Sequence, residues 1–153
     1  MGGIVVGVDG SGSSAAAVHW AVQEARLRAA ILHLVYASDD KRYPRAPYAG
    51  LRNGACPHGA EPGESALGAA ARAATKAISP GHVLVELAEG PPAQVLIDRS
   101  VGADLLVLGT ACQRCQSASE GPPFVGPVVR ICLRGAACPV VVVAAAELPV
   151  RPG

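Results

Sequence analysis

Two segments far apart in the chain share one hydrophobic pattern. Ile4-Val5-Val6-Gly7-Val8 breaks into Asp9-Gly10-Ser11, and Ala103 to Leu108 breaks into Gly109-Thr110. Each run is too short for a helix and too continuous for a strand with one wet face, so each predicts a parallel strand buried on both sides. Ile31 to Ala37, His82 to Ala88 and Pro139 to Val143 read as three more strands, the last with proline at its first residue, where a missing donor does least harm. Between them the spacing turns helical. From Ser11-Gly12-Ser13 to about Ala30 it sets Ala15, Val18, Val22, Ala25 and Ala29 inward and His19, Gln23 and Arg26 outward. From about 64 to 78 it buries Leu67, Ala70, Ala71, Ala74 and Ile78. After Pro91 and Pro92, residues suited to a first helical turn, the stripe is Ala93, Leu96, Ile97 and Val101. A last helix turns Val125, Val128, Val129, Cys132 and Leu133 inward and Arg130 and Arg134 outward, and Gly135 stops it.

Strict alternation of strand and helix predicts an α/β domain, a parallel sheet with right-handed crossovers and helices on both faces. In such a sheet, ligands bind outside the carboxyl ends of the strands, where successive crossovers leave in opposite directions. Asp9 and Gly109 stand at two such ends. Two connections are unusually long: 38–63, with Pro44, Pro47, Pro57 and Pro62, and 110–123. Both leave the same sheet edge, and the first reads as a functional flap or a mobile loop.

The 153 residues read as a single domain, 1–153, with no internal repeat, large enough to fold without metal or disulfide staples. A net charge of +1, from 13 basic and 12 acidic residues, gives no electrostatic footprint for nucleic acid or an anionic membrane. Half the chain is hydrophobic but only 3% is aromatic, so the core must be Ala, Val, Leu and Ile packed between closely approaching elements. No apolar run nears the roughly 20 residues that span a bilayer, and no export signal is legible, so the expectation is a cytoplasmic protein with no membrane partner. Its five cysteines, an odd number, are then mostly reduced thiols.

With these residues in place the chain resembles a universal stress protein domain along nearly its whole length. The resemblance rests on Val5-Val6-Gly7-Val8-Asp9-Gly10-Ser11, Leu32-His33-Leu34-Val35, Gly90-Pro91-Pro92-Ala93, Ala103 to Gly109, and Cys138-Pro139-Val140-Val141-Val142-Val143, in that order and spacing. It implies an open five-stranded parallel sheet in the Rossmann-like order 3-2-1-4-5, and a homodimer through the last strand. In ATP-binding members, the loop after the fourth strand reads Gly, two residues, Gly, nine residues, Gly, then Ser or Thr, a backbone cradle for phosphates. Here Gly109 and Gly126 match the first and last glycines. Cys112 replaces the second, thirteen residues (113–125) replace the nine, and Pro127 replaces the hydroxyl residue. The base end is better kept, with Asp9 at the acidic nucleoside position and Val35 and Leu108 where relatives flank adenine. Gly10, Ser11, Arg114 and Val128 border the same implied site. In its bland reading Asp9 merely caps the first helix.

The resemblance thus implies a binding and regulatory module for the stress response, with a nucleoside crevice, a degenerate phosphate loop and weak adenine-nucleotide affinity (ATP or AMP). Enzyme activity is not implied. One rival is a functional ATP-binding member with slow hydrolysis. A second is a metal or thiol-redox protein using Cys112 and Cys115, a C-x-x-C, with Cys56 and His58 as further ligands. A third is a domain distantly like the electron-transfer flavoproteins. Cys132 and Cys138 read as core, Ser11, Ser13 and Ser14 as helix-capping residues, and Asp104 as a strand-entrance residue. Lys41, Arg42, Arg45, Arg52 and Arg114 could supply phosphate contacts from the long loops.

Overall fold

The computed structural model describes residues 2–10, 12–38, 63–110 and 126–144. Five strands, β1 (Gly3–Gly7), β2 (Ile31–Ser38), β3 (Val83–Glu89), β4 (Leu105–Gly109) and β5 (Val140–Val143), form one parallel sheet in the order β3-β2-β1-β4-β5. The described helices are α1 (Gly12–Arg28), α2 (Gly63–Thr75), α3 (Pro92–Ser100) and α4 (Pro127–Gly135). The expected fold class and strand order are those observed. A short 3-10 turn, Pro80–His82, leads into β3, so that strand begins one residue later than expected.

The alternation of side chains along each strand divides the core in two. Ile4, Val6 and Val8 of β1 and its end, Leu32 and Leu34 of β2, and Leu105 and Val107 of β4 face α1 and α2. Val5, Val35, Leu106 and Leu108 face the other way, against Ala93, Val95 and Leu96 of α3 and Val129 and Cys132 of α4. The two helices after β1 and β2 therefore cover one face, and the two after β3 and β4 cover the other. The crossovers reverse direction between the adjacent strands β1 and β4.

Four inward assignments need correction. Ala17 and Ala21 are fully buried, whereas Ala15 is exposed and Ala29 lies beyond the helix. The observed stripe, Ala17-Val18-Ala21-Val22-Ala25, keeps the expected Val18, Val22 and Ala25 and has Ala17 and Ala21 in place of Ala15 and Ala29. Ala29 ends α1 by taking a left-handed φ of 52°, and the Ala30 N–H donates back to the Ala25 carbonyl at 3.0 Å. That is the helix-ending turn normally given to glycine. Val101 is 70% exposed because α3 stops at Ser100 and the chain goes extended there, leaving the helical phase, while Val95 takes a core place. Leu133 is 53% exposed because Cys132 occupies the inward position of the short α4.

Ser100, fully buried, holds the end of α3 to the lead into β5. Its hydroxyl donates to the Ile97 carbonyl at 2.6 Å and accepts the Ala137 N–H at 2.9 Å. On the same side of the sheet, Glu86 Oε1 of β3 accepts from Arg99 Nε of α3 at 2.9 Å, and His33 Nε2 of β2 lies 3.0 Å from the same oxygen. The Arg99 guanidinium first, and His33 second, hold the Glu86 carboxyl below its ordinary value of 4.5 against an opposing push from burial. A carboxyl held low in the native state adds stability above its unfolded value, and loses it as pH falls through the native value. Glu86→Gln should therefore cost about 0.2–1 kcal/mol near neutrality, the range for a partly exposed pair. In urea melts the deficit should shrink toward about pH 3. An undiminished deficit in acid would contradict the ion-pair account.

Candidate functional site

The turn after β1 is locked to the end of β4. Gly10 takes φ 83°, a left-handed step that L side chains resist, and lets the chain turn from Asp9 into α1. The Asp9 N–H donates to Ser14 Oγ at 3.1 Å, and the Ser13 hydroxyl donates to the Thr110 carbonyl. Gly109 lies where α1 crosses the end of β4. A Cβ there would sit 2.5 Å from the Ser13 carbonyl carbon, 2.6 Å from its oxygen and 2.8 Å from the Ser14 nitrogen, all backbone atoms. The steric reason for Gly109 is thus the approach of a helix. Beyond it, the Thr110 N–H continues the ladder to the Val143 carbonyl at 3.0 Å.

These contacts gather Asp9, Gly10, Ser13, Ser14, Gly109 and Thr110 at the carboxyl ends of β1 and β4, where the crossovers reverse. The α4 end of that crevice begins with Gly126, a buried N-cap in extended conformation, and Pro127 at the first helical position. No side chain caps this helix among the described residues. Its N-terminal N–H groups and dipole favour an anion. Asp9 is exposed at the opposite lip.

Val35 and Leu108 are placed differently from the rest of the expected set. Both side chains are core, at 1% and 4% exposure, and the Val35 carbonyl already accepts the Val8 N–H at 2.8 Å. Val128 is half-buried against the core beside Val129. Ser11, Cys112, Arg114, Cys115, Cys56 and His58, together with Val125 and most of both long connections, lie outside the described residues. Among the described residues, no cluster of three or more His, Cys, Asp or Glu could hold a metal ion. Cys132 is wholly buried, donates its thiol to the Ala93 carbonyl at 3.9 Å, and is pushed by burial up to about 11. Burial and the Asp104 carboxylate raise the Cys138 thiol as well. Neither thiol is poised for redox exchange.

The sequence did not point to Thr110, which looked like the first residue of a loop. The signal was present: the parity of β4 carries through 109 and 110, and a hydroxyl follows the glycine. Nor did it point to a cavity of about 400 Å³ between α1 and α2. Val18, Val22, Ala66, Ala70 and Ala73 line it, and only Val8, Gly10 and Ser14 connect it to the β1–α1 turn.

The architecture is that of a doubly wound, Rossmann-like domain, a fold class in which ligands bind at the switch point. The universal stress protein family model matches residues 1–144. Universal stress protein Rv2623 of Mycobacterium tuberculosis is 32% identical over 147 residues, covering 92% of this chain and 47% of its own length. A solved universal stress protein in complex with cAMP is similar at a TM-score of 0.66 and 25% identity, covering 95% of this chain and 98% of that one. The Archaeoglobus fulgidus universal stress protein in complex with dAMP is similar at 0.65 and 20%, with 94% and 98% covered. The chain belongs to the universal stress protein family. It spans about half the length of relatives such as Rv2623. Among the described residues, no helix is long and apolar enough to cross a membrane.

Gly109→Ala tests the β1–β4 lock. Its methyl group meets helix backbone that cannot rotate aside, so stability should fall by about 1–3 kcal/mol, as for an overpacked core, measured by urea unfolding. Wild-type stability in this variant would contradict the close approach.

Proposed function

We propose that this chain is a regulatory nucleotide-binding module that takes an adenosine monophosphate-type ligand in the crevice between the ends of β1 and β4. The observation that carries the proposal is the meeting of an exposed carboxylate, Asp9, with an uncapped helix N-terminus, Gly126-Pro127, across the switch point. A carboxylate can accept ribose hydroxyls, and a helix N-terminus suits a phosphate. Relatives with the same fold were crystallised with cAMP and dAMP, which supports a ligand of this class.

Phosphates beyond the first add little in this reading. Pro127 offers neither a hydroxyl nor an N–H where the ATP-binding pattern has Ser or Thr, and Cys112 stands where it has glycine. Each lost donor to a charged oxygen removes about 1.5–3 kcal/mol. Calorimetry should therefore find ATP and AMP bound within about tenfold of each other. ATP binding about a hundredfold tighter than AMP would contradict the degenerate loop and favour the ATP-binding rival, with Arg114→Ala the variant that identifies a rebuilt phosphate contact.

The module is further proposed to be a homodimer through β5. That strand is a sheet edge of four valines, all half-buried, and an apolar edge of this kind invites pairing with a second copy. Sedimentation should give a dimer for the wild type and a monomer or insoluble protein for Val141→Lys. A strictly monomeric wild type would contradict it.

A further inference from the structure

We propose that the Thr110 side-chain hydroxyl is the donor that holds the ligand's phosphate, supplying from the strand side what Pro127 removes from the helix side; this rests on the adenosine monophosphate reading above. Three observations converge on it. Thr110 is 6% exposed, and its Oγ1 has no hydrogen-bond partner among the described residues. A buried hydroxyl left unpaired is a standing penalty that native structures rarely keep without a reason.

The second observation is direction. The ladder continues through the Thr110 N–H to Val143, so the strand parity holds at this residue. A side chain at 109 would run into α1. The side chain at 110 therefore turns to the opposite face, that of Leu106 and Leu108, where α4 packs through Val129 and Cys132. The third is that α4, nine residues long, begins at this end of the sheet with no side-chain cap among the described residues. The Ser13 hydroxyl fixes the Thr110 carbonyl, and the side-chain hydroxyl has no partner among the described residues. A hydroxyl on the face that α4 covers, at the strand end where that helix begins, and the helix N-terminus can together make an anion site. Binding there satisfies an atom that the described residues leave unsatisfied.

The test is calorimetry of the full chain with AMP and with adenosine, for the wild type, Thr110→Val and Thr110→Ser. Valine keeps the shape and removes the hydroxyl. The proposal predicts that Thr110→Val weakens AMP binding about tenfold or more, the loss expected for a hydrogen bond to a charged oxygen. Adenosine affinity should stay within about twofold, and Thr110→Ser should keep AMP affinity within about threefold, since the donor remains. The Thr110→Val melting temperature should equal or exceed that of the wild type, because an unpaired buried polar group is gone. Unchanged AMP binding in Thr110→Val overturns the proposal and leaves the nucleotide reading standing. Equal loss of AMP and adenosine with a lowered melting temperature also overturns it, as the mark of a packing role. A wild type that binds neither compound overturns the nucleotide reading itself, and this proposal with it.

Discussion

The close approach of α1 to the end of β4 is the constraint on which the ligand end of this domain depends. The helix must start within van der Waals reach of a strand that is not its own neighbour in sequence, and the chain meets that demand in three ways. It places no side chain at Gly109. It puts small residues, Ala17, Ala21 and Ala25, on the buried seam of α1. It joins the two backbones through the Ser13 hydroxyl and the Thr110 carbonyl. With 3% aromatic content the fully buried core of the described residues holds no large ring, Trp20 and Tyr36 packing only at its margin, so helix and sheet can come close. The crevice between β1 and β4 is then a fixed feature of the fold, because both of its walls are anchored to the same pair of central strands.

The division of the core into two faces explains why the polar turn residues Asp9, Ser13, Ser14 and Thr110 collect there. α1 and α2 lie on one side, α3 and α4 on the other, and the reversal falls between β1 and β4. Only at that point do a turn from one face and a helix start from the other come together with no crossover between them. Elsewhere the polar groups are structural. Ser100 joins α3 to the lead into β5, and the Arg99–Glu86–His33 group ties α3 to the outer strands. The cavity between α1 and α2 is of a different kind, lined mostly by alanine and valine, with Ser14, His19 and Gln23 all contributed by α1.

Much of the fold could be read from the sequence, because buried parallel strands announce themselves as short apolar runs ending in turn residues, and five of them alternate with helical stripes. Helix phase was harder to read. In an alanine-rich helix such as α1 almost every position is tolerably apolar, so Ala15 and Ala17 look alike until the sheet chooses between them. Val101 looked inward only while the helix was assumed to continue past Ser100. In the site, Asp9, Gly109 and Gly126 were legible as strand-end and helix-start residues. Val35 and Leu108 were legible as neighbours of the crevice, but their burial in the core depends on the parity of β2 and β4. The Ser13–Thr110 contact links residues 97 positions apart, and no local pattern encodes it.

The central claim is that the nucleotide occupies the β1–β4 switch point and not the apolar cavity between α1 and α2. Backbone amide chemical-shift mapping by NMR during titration with AMP tests this most directly. The account predicts the largest shifts at Asp9, Gly10, Ser13, Ser14, Gly109, Thr110 and Gly126, on both walls of the crevice. Shifts concentrated instead on Val22, Ala66, Ala70 and Ala73, with Gly109 and Thr110 unmoved, would place the ligand between α1 and α2 and contradict it.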